Sequence, residues 1–386
     1  MNILVINALL KGGGTEVQTQ REVSLLRSKG HMVSLLTFDP SIEQIQDDSY
    51  NNLPFSPNAI SRVYYRNRVN KIDCKKIKSV INRINPNVIH INNLQDNAYT
   101  VLEACKGYPV LKTIRDPGLV CPKTTCLTPK QEICSGFTNH CCYKCIGISL
   151  NYQIAALHSK RLRPQYLATV SRFICPSQYL SEVCSNNGIP TSCVNNPFDF
   201  SIVKKLRPTN SKTFLYYGYV SKDKGAENLL KAFERFHREY NKASLLIAGK
   251  LGDISISEID KYSRSGVKYL GVLSQSDIMD LYKEVFCVVV PSIWLENYPN
   301  TVLEALACRT LVIGSKRGGI SELIGNDSFM FNPLSIVEIE KALKLAYNLP
   351  ATDYNSVVEN NYNMVMINNK LETYYNRLLE CLESIK

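Results

Sequence analysis

Two glutamates, Glu296 and Glu304, stand eight positions apart in the stretch SIWLENYPNTVLEALA, residues 292–307, with a proline between them. Pro299 suits the first position of a helix, which makes Tyr298 its cap, and tyrosine caps poorly. The backbone N–H groups of Asn300, Thr301 and Val302 then lie open to an anion, because the first turn of a helix has no internal acceptors and carries partial positive charge. Glu296 precedes that anion site, and Glu304 follows about one turn inside the helix. Carboxylates accept hydrogen bonds from sugar hydroxyls. The order therefore fits a ligand with phosphate in the middle and hydroxyls at both ends, a nucleoside diphosphate sugar. A solvated glutamate followed by a helix-surface glutamate has the same spacing.

Two glycine turns repeat this logic. In LLKGGGTEVQ, Thr15 is placed to cap a helix with Gln18 three residues on, and Gly30 to end it. Gly12, Gly13 and Gly14 let the backbone approach a ligand just before that helix start, although no G-x-G-x-x-G pattern is present. In YYGYVSKDKGAENLL, Lys224 and Gly225 sit where a strand gives way to a helix carrying Leu229, Phe233 and Phe236. Lys224 is placed to neutralise a phosphate, or to be a solvated lysine.

The elements that must carry these turns are legible as short apolar runs alternating with amphipathic stretches. Strands are expected at 2–7, 32–37, 87–91, 109–113, 172–176 and 192–196, then at 213–218, 244–249, 267–271, 285–290 and 310–315. Near-continuous Val/Ile/Leu runs separated by helices indicate parallel sheets covered on both faces. Two such series in 386 residues give an α/β chain of two doubly wound domains. The joint is expected in NNPFDFSIVKKLRPTNSK, residues 195–212, and 369–386 reads as a helix striped by Leu371, Tyr374, Leu378 and Leu382. Ligands of such sheets bind beyond the carboxyl ends of the strands.

At this point the chain resembles the GT-B glycosyltransferases of the large retaining family 4. The likeness rests on GGGTE, LRSKGHMVSLLT, FICPSQYL, NNPFDF, YYGYVSKDKG, LLIAGK, VVVPSIWLENYPNTVLEALA and GGISELI, in that order and spacing. It implies two Rossmann-like domains facing a cleft: an acceptor domain over 1–198, a donor domain over 199–365, and a final helix over 366–386 that returns to the first domain. It also implies that Glu304 holds the donor ribose and Glu296 the transferred sugar. The amides of Asn300, Thr301 and Val302, with Lys224, would hold the diphosphate, and Gly13 and Gly14 would close over it. No catalytic metal is expected: the leaving diphosphate takes the acceptor proton itself, by front-face displacement. Gly218-Tyr219 stands where similar proteins have Gly-Arg, and Arg115-Asp116 where many have His-Asp, so Arg115 is expected to restore the missing cation. Arg309 and Leu311 replace the usual Gly and Pro and read as drift. The implied reaction moves a sugar, from a uridine diphosphate donor in preference to a guanosine one, to a glycan or lipid-linked acceptor of the cell surface. A sugar-nucleotide-binding scaffold without turnover is the alternative, and a sugar-nucleotide epimerase a lesser one.

Six of the fourteen cysteines fall between 121 and 145. The closing C-x₂-C, Cys142 and Cys145, suits a metal clip better than disulfides in a reducing compartment. Disulfides, an iron–sulfur site and free thiols stay open. A subset of similar transferases has a comparable cysteine pattern in this loop, 116–150, which implies Cys121, Cys134, Cys142 and Cys145 as ligands of a structural zinc, with Cys126 and Cys141 as spares. The net charge of +11 suits a phosphate-bearing partner, but no nucleic-acid recognition motif is present. His158, Lys160, Arg161 and Arg163 form a basic cluster that would suit an anionic membrane surface. With no charged leader and no long apolar run, a cytoplasmic protein, peripheral on the inner face of the membrane, is expected.

Overall fold

The computed structural model describes residues 1–55, 68–94, 97–121, 123–134, 145, 164–203 and 211–386. The chain divides into two compact units, Met1–Pro197 with Leu371–Lys386, and Phe198–Lys370.

The first unit carries β1 (Asn2–Ile6), α1 (Gly14–Ser28), β2 (Met32–Thr37), β3 (Ile45–Gln46) and β4 (Tyr50–Asn52). It continues with α2 (Lys71–Ile84), β5 (Val88–Ile91), α3 (Ala98–Cys105), β6 (Val110–Thr113), β7 (Arg172–Cys175), α4 (Gln178–Ser185) and β8 (Thr191–Cys193). Its sheet runs β3-β4-β2-β1-β5-β6-β7-β8, and β3 pairs antiparallel while the rest of the sheet is parallel. Ile3 to Ile6 and Val88 are wholly buried, as the continuous apolar runs require of strands covered on both faces.

The second unit carries β9 (Thr213–Tyr217), α5 (Ala226–His237), β10 (Ser244–Ala248), α6 (Ile256–Asp260), β11 (Val267–Gly271), α7 (Gln275–Leu281) and β12 (Cys287–Val290). Then follow α8 (Asn300–Ala307), β13 (Leu311–Ser315), α9 (Gly319–Ile324), β14 (Met330–Phe331), α10 (Ile336–Tyr347) and α11 (Ala351–Asn369). All pairings are parallel, in the order β11-β10-β9-β12-β13-β14. Phe214 of β9 meets Phe233 and Phe236 of α5 edge-on, with ring centroids 5.9 and 5.6 Å apart. The stripe that marked α5 in the sequence is thus the one that buries it.

The last helix, α12 (Leu371–Glu383), belongs to the first unit. The returning segment was expected from residue 366, but the change of unit falls after Lys370. Two features end α11 there. Lys370 is extended and bridges Phe198, and the Asn369 carbonyl accepts from the Phe198 amide at 2.7 Å. The Asn369 carboxamide is buried against the Tyr298 hydroxyl at 2.9 Å. Those bonds take the place of a continuing helix.

α12 is held to the first unit by packing and by a buried polar network. Tyr374, Leu378 and Leu382 join the core around Ile3 and Leu26. The Tyr374 hydroxyl donates to Glu22 Oε2 at 2.6 Å, and His90 Nδ1 donates to Glu22 Oε1 at 2.6 Å. His90 Nε2 meets the Thr113 hydroxyl at 2.8 Å, and the Asn92 amide reaches Glu22 at 3.1 Å. Burial pushes the Glu22 carboxyl up, but the charge and bonds of His90, Tyr374 and Asn92 outweigh it and hold it below the usual range. Beside them, Lys112 gives its ammonium hydrogens to the carbonyls of Asn92 and Thr113, and burial draws it down to about 7.

Arg309 is not drift. It holds φ +52, a left-handed backbone that costs a residue with a Cβ roughly 1–2 kcal/mol. The side chain recovers that cost. Its guanidinium stacks 3.5 Å from the Tyr362 ring centre, and Nε donates to Glu359 at 2.6 Å, tying the end of α8 to α11. Arg309→Gly should therefore melt within a few degrees of wild type, trading the clamp for relief of strain. Arg309→Ala keeps the strain and loses the clamp, and should lower stability by about 1–2 kcal/mol in a denaturant titration. Equal stability of the two variants would show that the backbone strain is not there.

Candidate functional site

In the second sheet the chain leaves β9 for β10 and β11 on one side, then returns to lay β12 against the other side of β9. The carboxyl ends of β9 and β12 flank this topological switch point, where open parallel sheets bind their ligands. Both sequence motifs of the second unit lie there: residues 218–225 after β9 and 291–299 after β12.

The two loops are fastened to each other. The amides of Ile293 and Trp294 both donate to the Asp223 carbonyl at 3.0 Å. Gly225 has φ +75, and a Cβ there would stand 1.9 Å from the Pro291 carbonyl oxygen, so only glycine lets the turns close on each other. From this frame Lys224 Nζ reaches Glu296 Oε1 at 2.5 Å, and the Ser292 hydroxyl donates to the same oxygen at 3.2 Å. The ammonium also lies 5.8 Å from the Trp294 ring centre. Lys224 and Glu296 are both partly exposed, so each can still meet a ligand.

Behind Glu296, its carbonyl accepts from the Gly319 amide at 2.8 Å, and Arg317 gives a guanidinium hydrogen to the Ile293 carbonyl at 2.9 Å. A Cβ on Gly319 would stand 1.8 Å from the Asn297 carbonyl oxygen. The GGISELI motif thus fixes the backbone that carries Glu296.

The start of α8 differs from expectation by one residue. Pro299 is the cap and Asn300 the first helical residue, with no side chain capping it. Pro299 has no N–H to lose and holds an extended backbone, so it serves as cap as readily as it would serve as first residue. The Val302 amide already donates to the Pro299 carbonyl at 3.2 Å, which corrects its place among the open donors. The Thr301 amide meets no acceptor among the described residues, and Asn300 sits beside it at the helix tip. Glu304, a turn further on, is 5% exposed and accepts from the Gln275 carboxamide at 3.0 Å. Tyr282 packs alongside, its phenol pushed well up by burial and by the nearby Glu304 carboxylate. Gln275, Ser292 and Arg317 were not singled out from the sequence, which holds no local signal for them.

Gly218 has φ +150, and Tyr219 after it is half exposed, its carbonyl accepting from the Tyr216 hydroxyl at 2.7 Å. Its ring brings no charge to the loop, and Lys224 is the loop's cation on Glu296.

The expected residues of the first unit have structural partners there. Arg115 gives one guanidinium nitrogen to Asn196 at 2.7 Å and another to Asn92 at 2.5 Å, joining the segments that follow β8 and β5. Asp116 accepts from the Gly118 amide at 2.7 Å and caps the single turn Pro117–Leu119. Gly13, and not Thr15, caps α1, with Gly14 its first residue; Gly13 donates its amide to Glu16 at 2.8 Å. Glu16, three residues past Gly13, takes the reciprocal place that Gln18 was expected to hold against Thr15.

In the cysteine loop, Cys121 closes a turn with the Thr124 amide at 2.8 Å, and the Cys134 amide donates to the Cys126 carbonyl at 2.9 Å. A hydrogen bond from the Cys126 thiol draws Cys121 down to about 6, so Cys126 lies beside Cys121. Among the described residues no three His, Cys, Asp or Glu side chains gather as a metal site. Cys141 and Cys142 lie outside the described residues, as do His158, Lys160, Arg161 and Arg163. No described helix is long and apolar enough to cross a membrane.

Comparison with known proteins gives this geometry its family. The model for glycosyl transferases group 1 matches residues 197–364, and that for glycosyltransferase family 4 matches residues 12–201. An uncharacterized 42.6 kDa protein of the cps region of Klebsiella pneumoniae is 24% identical, over 84% of this chain and 87% of its own length. The O-antigen chain mannosyltransferase B of Escherichia coli is 25% identical over 39% of this chain and 40% of its own. Among solved structures, Anabaena HepE in complex with UDP and glucose superposes with a TM-score of 0.70 at 15% identity, covering 100% of both chains. The chain is an enzyme of the GT-B fold and belongs to the family 4 glycosyltransferases.

Proposed function

We propose that the protein is a retaining glycosyltransferase that takes a sugar from a uridine or guanosine diphosphate donor and extends a cell-surface polysaccharide or its lipid-linked precursor. The observation that carries this reading is the joining of Lys224, Glu296 and the uncapped start of α8 at the switch point beside β9 and β12. The diphosphate lies at the amides of Asn300 and Thr301 and on the Lys224 ammonium. Glu304, buried and held by Gln275, accepts the ribose hydroxyls. Glu296 accepts hydroxyls of the transferred sugar through Oε2, which has no partner among the described residues. As the bond from the anomeric carbon to the β-phosphate oxygen breaks, negative charge grows on the diphosphate, where the cation and the helix start already point. The acceptor oxygen attacks from the same face and gives its proton to the departing phosphate oxygen. The reading needs no carboxylate on the opposite face of the sugar.

The acceptor class rests on the relatives, one from a cps region and one named for the O-antigen chain. The test is NMR of the anomeric proton in sugar released or transferred from UDP- and GDP-linked α-sugars. An α product supports retention; a β product overturns it.

A further inference from the structure

We propose that the Lys224–Glu296 ion pair makes the site favour the sugar-bearing donor over the bare nucleoside diphosphate, and so speeds product release. The inference rests on the donor-site reading above. It starts from the bonds of one carboxylate. Oε1 of Glu296 is committed to Lys224 at 2.5 Å and to Ser292 at 3.2 Å, while Oε2 has no partner among the described residues and the side chain is partly exposed. The Gly319 amide holds the backbone of Glu296, and the clasp at Asp223 holds the loop that carries Lys224, so the two side chains start from fixed points beside each other.

A diphosphate that takes a hydrogen from the Lys224 ammonium must therefore sit beside a fixed carboxylate. Two oxygens bonded to one ammonium lie about 4–5 Å apart, close enough for like charges to repel appreciably at a partly exposed site. A donor with its sugar attached offsets that repulsion, because sugar hydroxyls give hydrogens to Oε2 and spread the carboxylate charge. Once the sugar has left, the hydroxyls are gone, and the carboxylate draws the ammonium back from the diphosphate. Glu296 thus holds the substrate and disfavours the product through the same pair of oxygens. Tyr219 sharpens the effect, since it adds no second cation to keep the diphosphate bound.

The experiment is a double-mutant cycle read by calorimetric titration of UDP and GDP. It uses wild type, Glu296→Gln, Lys224→Ala and the double variant, each checked for folding by its thermal melt. Glu296→Gln should tighten the bound nucleotide about two- to five-fold, the range of a partly exposed ion pair. The gain should shrink to nothing in the Lys224→Ala background. Glu296→Gln should also raise the KM for the nucleotide sugar while UDP or GDP inhibits more strongly. An equal gain with and without Lys224 would mean simple repulsion and overturn the role of the pair, as would no gain at all. Ser292→Ala, which loosens Oε1 without changing charge, should move affinity in the same direction by less. If neither nucleotide binds wild type, the donor-site reading itself fails, and the inference with it.

Discussion

Lys224→Met is expected to lower turnover of the nucleotide sugar about 100- to 1,000-fold, the loss typical when one preorganised donor to a developing anion is removed. The size follows from what else the pocket offers. Position 219, where the family resemblance leads to the expectation of a cation, is a tyrosine whose ring carries no charge. Arg115, the expected substitute, spends its guanidinium on Asn92 and Asn196 within the first unit. On the proposed donor site, the charge set against the diphosphate is that of Lys224, supported by the amides at the start of α8. Methionine keeps the stem length over Trp294, so the loop should stay closed and the melting temperature should move little. The loss should fall mainly on kcat, because the ammonium is asked to do more as the diphosphate departs than while the donor is bound. A loss under ten-fold would mean another group supplies the charge.

Glu22→Ala is expected to destabilise the first unit by about 3–5 kcal/mol, the range seen when one member of a buried charged network is removed. His90, Tyr374 and Asn92 all give hydrogens to this carboxylate, and Glu22 and His90 are wholly buried. Alanine leaves those donors without an acceptor or with water drawn into the core. Amide exchange in α12 should speed most, because Tyr374 is its buried tie to Glu22, beside the more exposed ties that Glu372, Tyr375 and Arg377 make to Lys29, His31 and Asn195. Glu22→Gln should do less harm, since it keeps one acceptor. The same network gives the unit an acid limit. A carboxyl held below its unfolded value contributes stability that is complete above the unfolded range and is lost as pH falls through the folded value. Protection of α12 unchanged in Glu22→Ala would show that the Glu22 network does not hold the helix.

Both results bear on how much the sequence disclosed. The eleven expected strands are all present, and most of them, such as β1, β5 and β12, are legible because a strand buried on both faces writes its position as a continuous Val/Ile/Leu block, whereas β8, TSC, is only half-buried. β3, β4 and β14 were not expected. They are two or three residues long, and IQ and YNN carry no apolar block at all. Loops were legible where glycine or proline forces the backbone, as at Gly225, but the register of caps was not. Pro299 and Tyr298, or Gly13 and Thr15, are locally almost equivalent, and Glu16 settles the second case by reaching back.

Long-range partners were out of reach. Gln275 meets Glu304 across 29 positions, and His90 meets Glu22 across 68. A histidine inside VIHI looks like any buried residue until its acceptor is brought to it. Arg309 shows the reverse: a departure that reads as drift in one dimension is a strained residue with two partners in three.

The central claim is that the crevice between the β9 and β12 turns binds the donor nucleotide, with Glu304 on its ribose. Calorimetric titration of UDP, GDP and ADP into wild type and Glu304→Ala tests it without an acceptor. The account predicts selective binding of one uridine or guanosine nucleotide to wild type, weakened at least ten-fold in the variant, with both proteins folded. Binding that is equally tight in Glu304→Ala would place the nucleotide elsewhere and contradict the site.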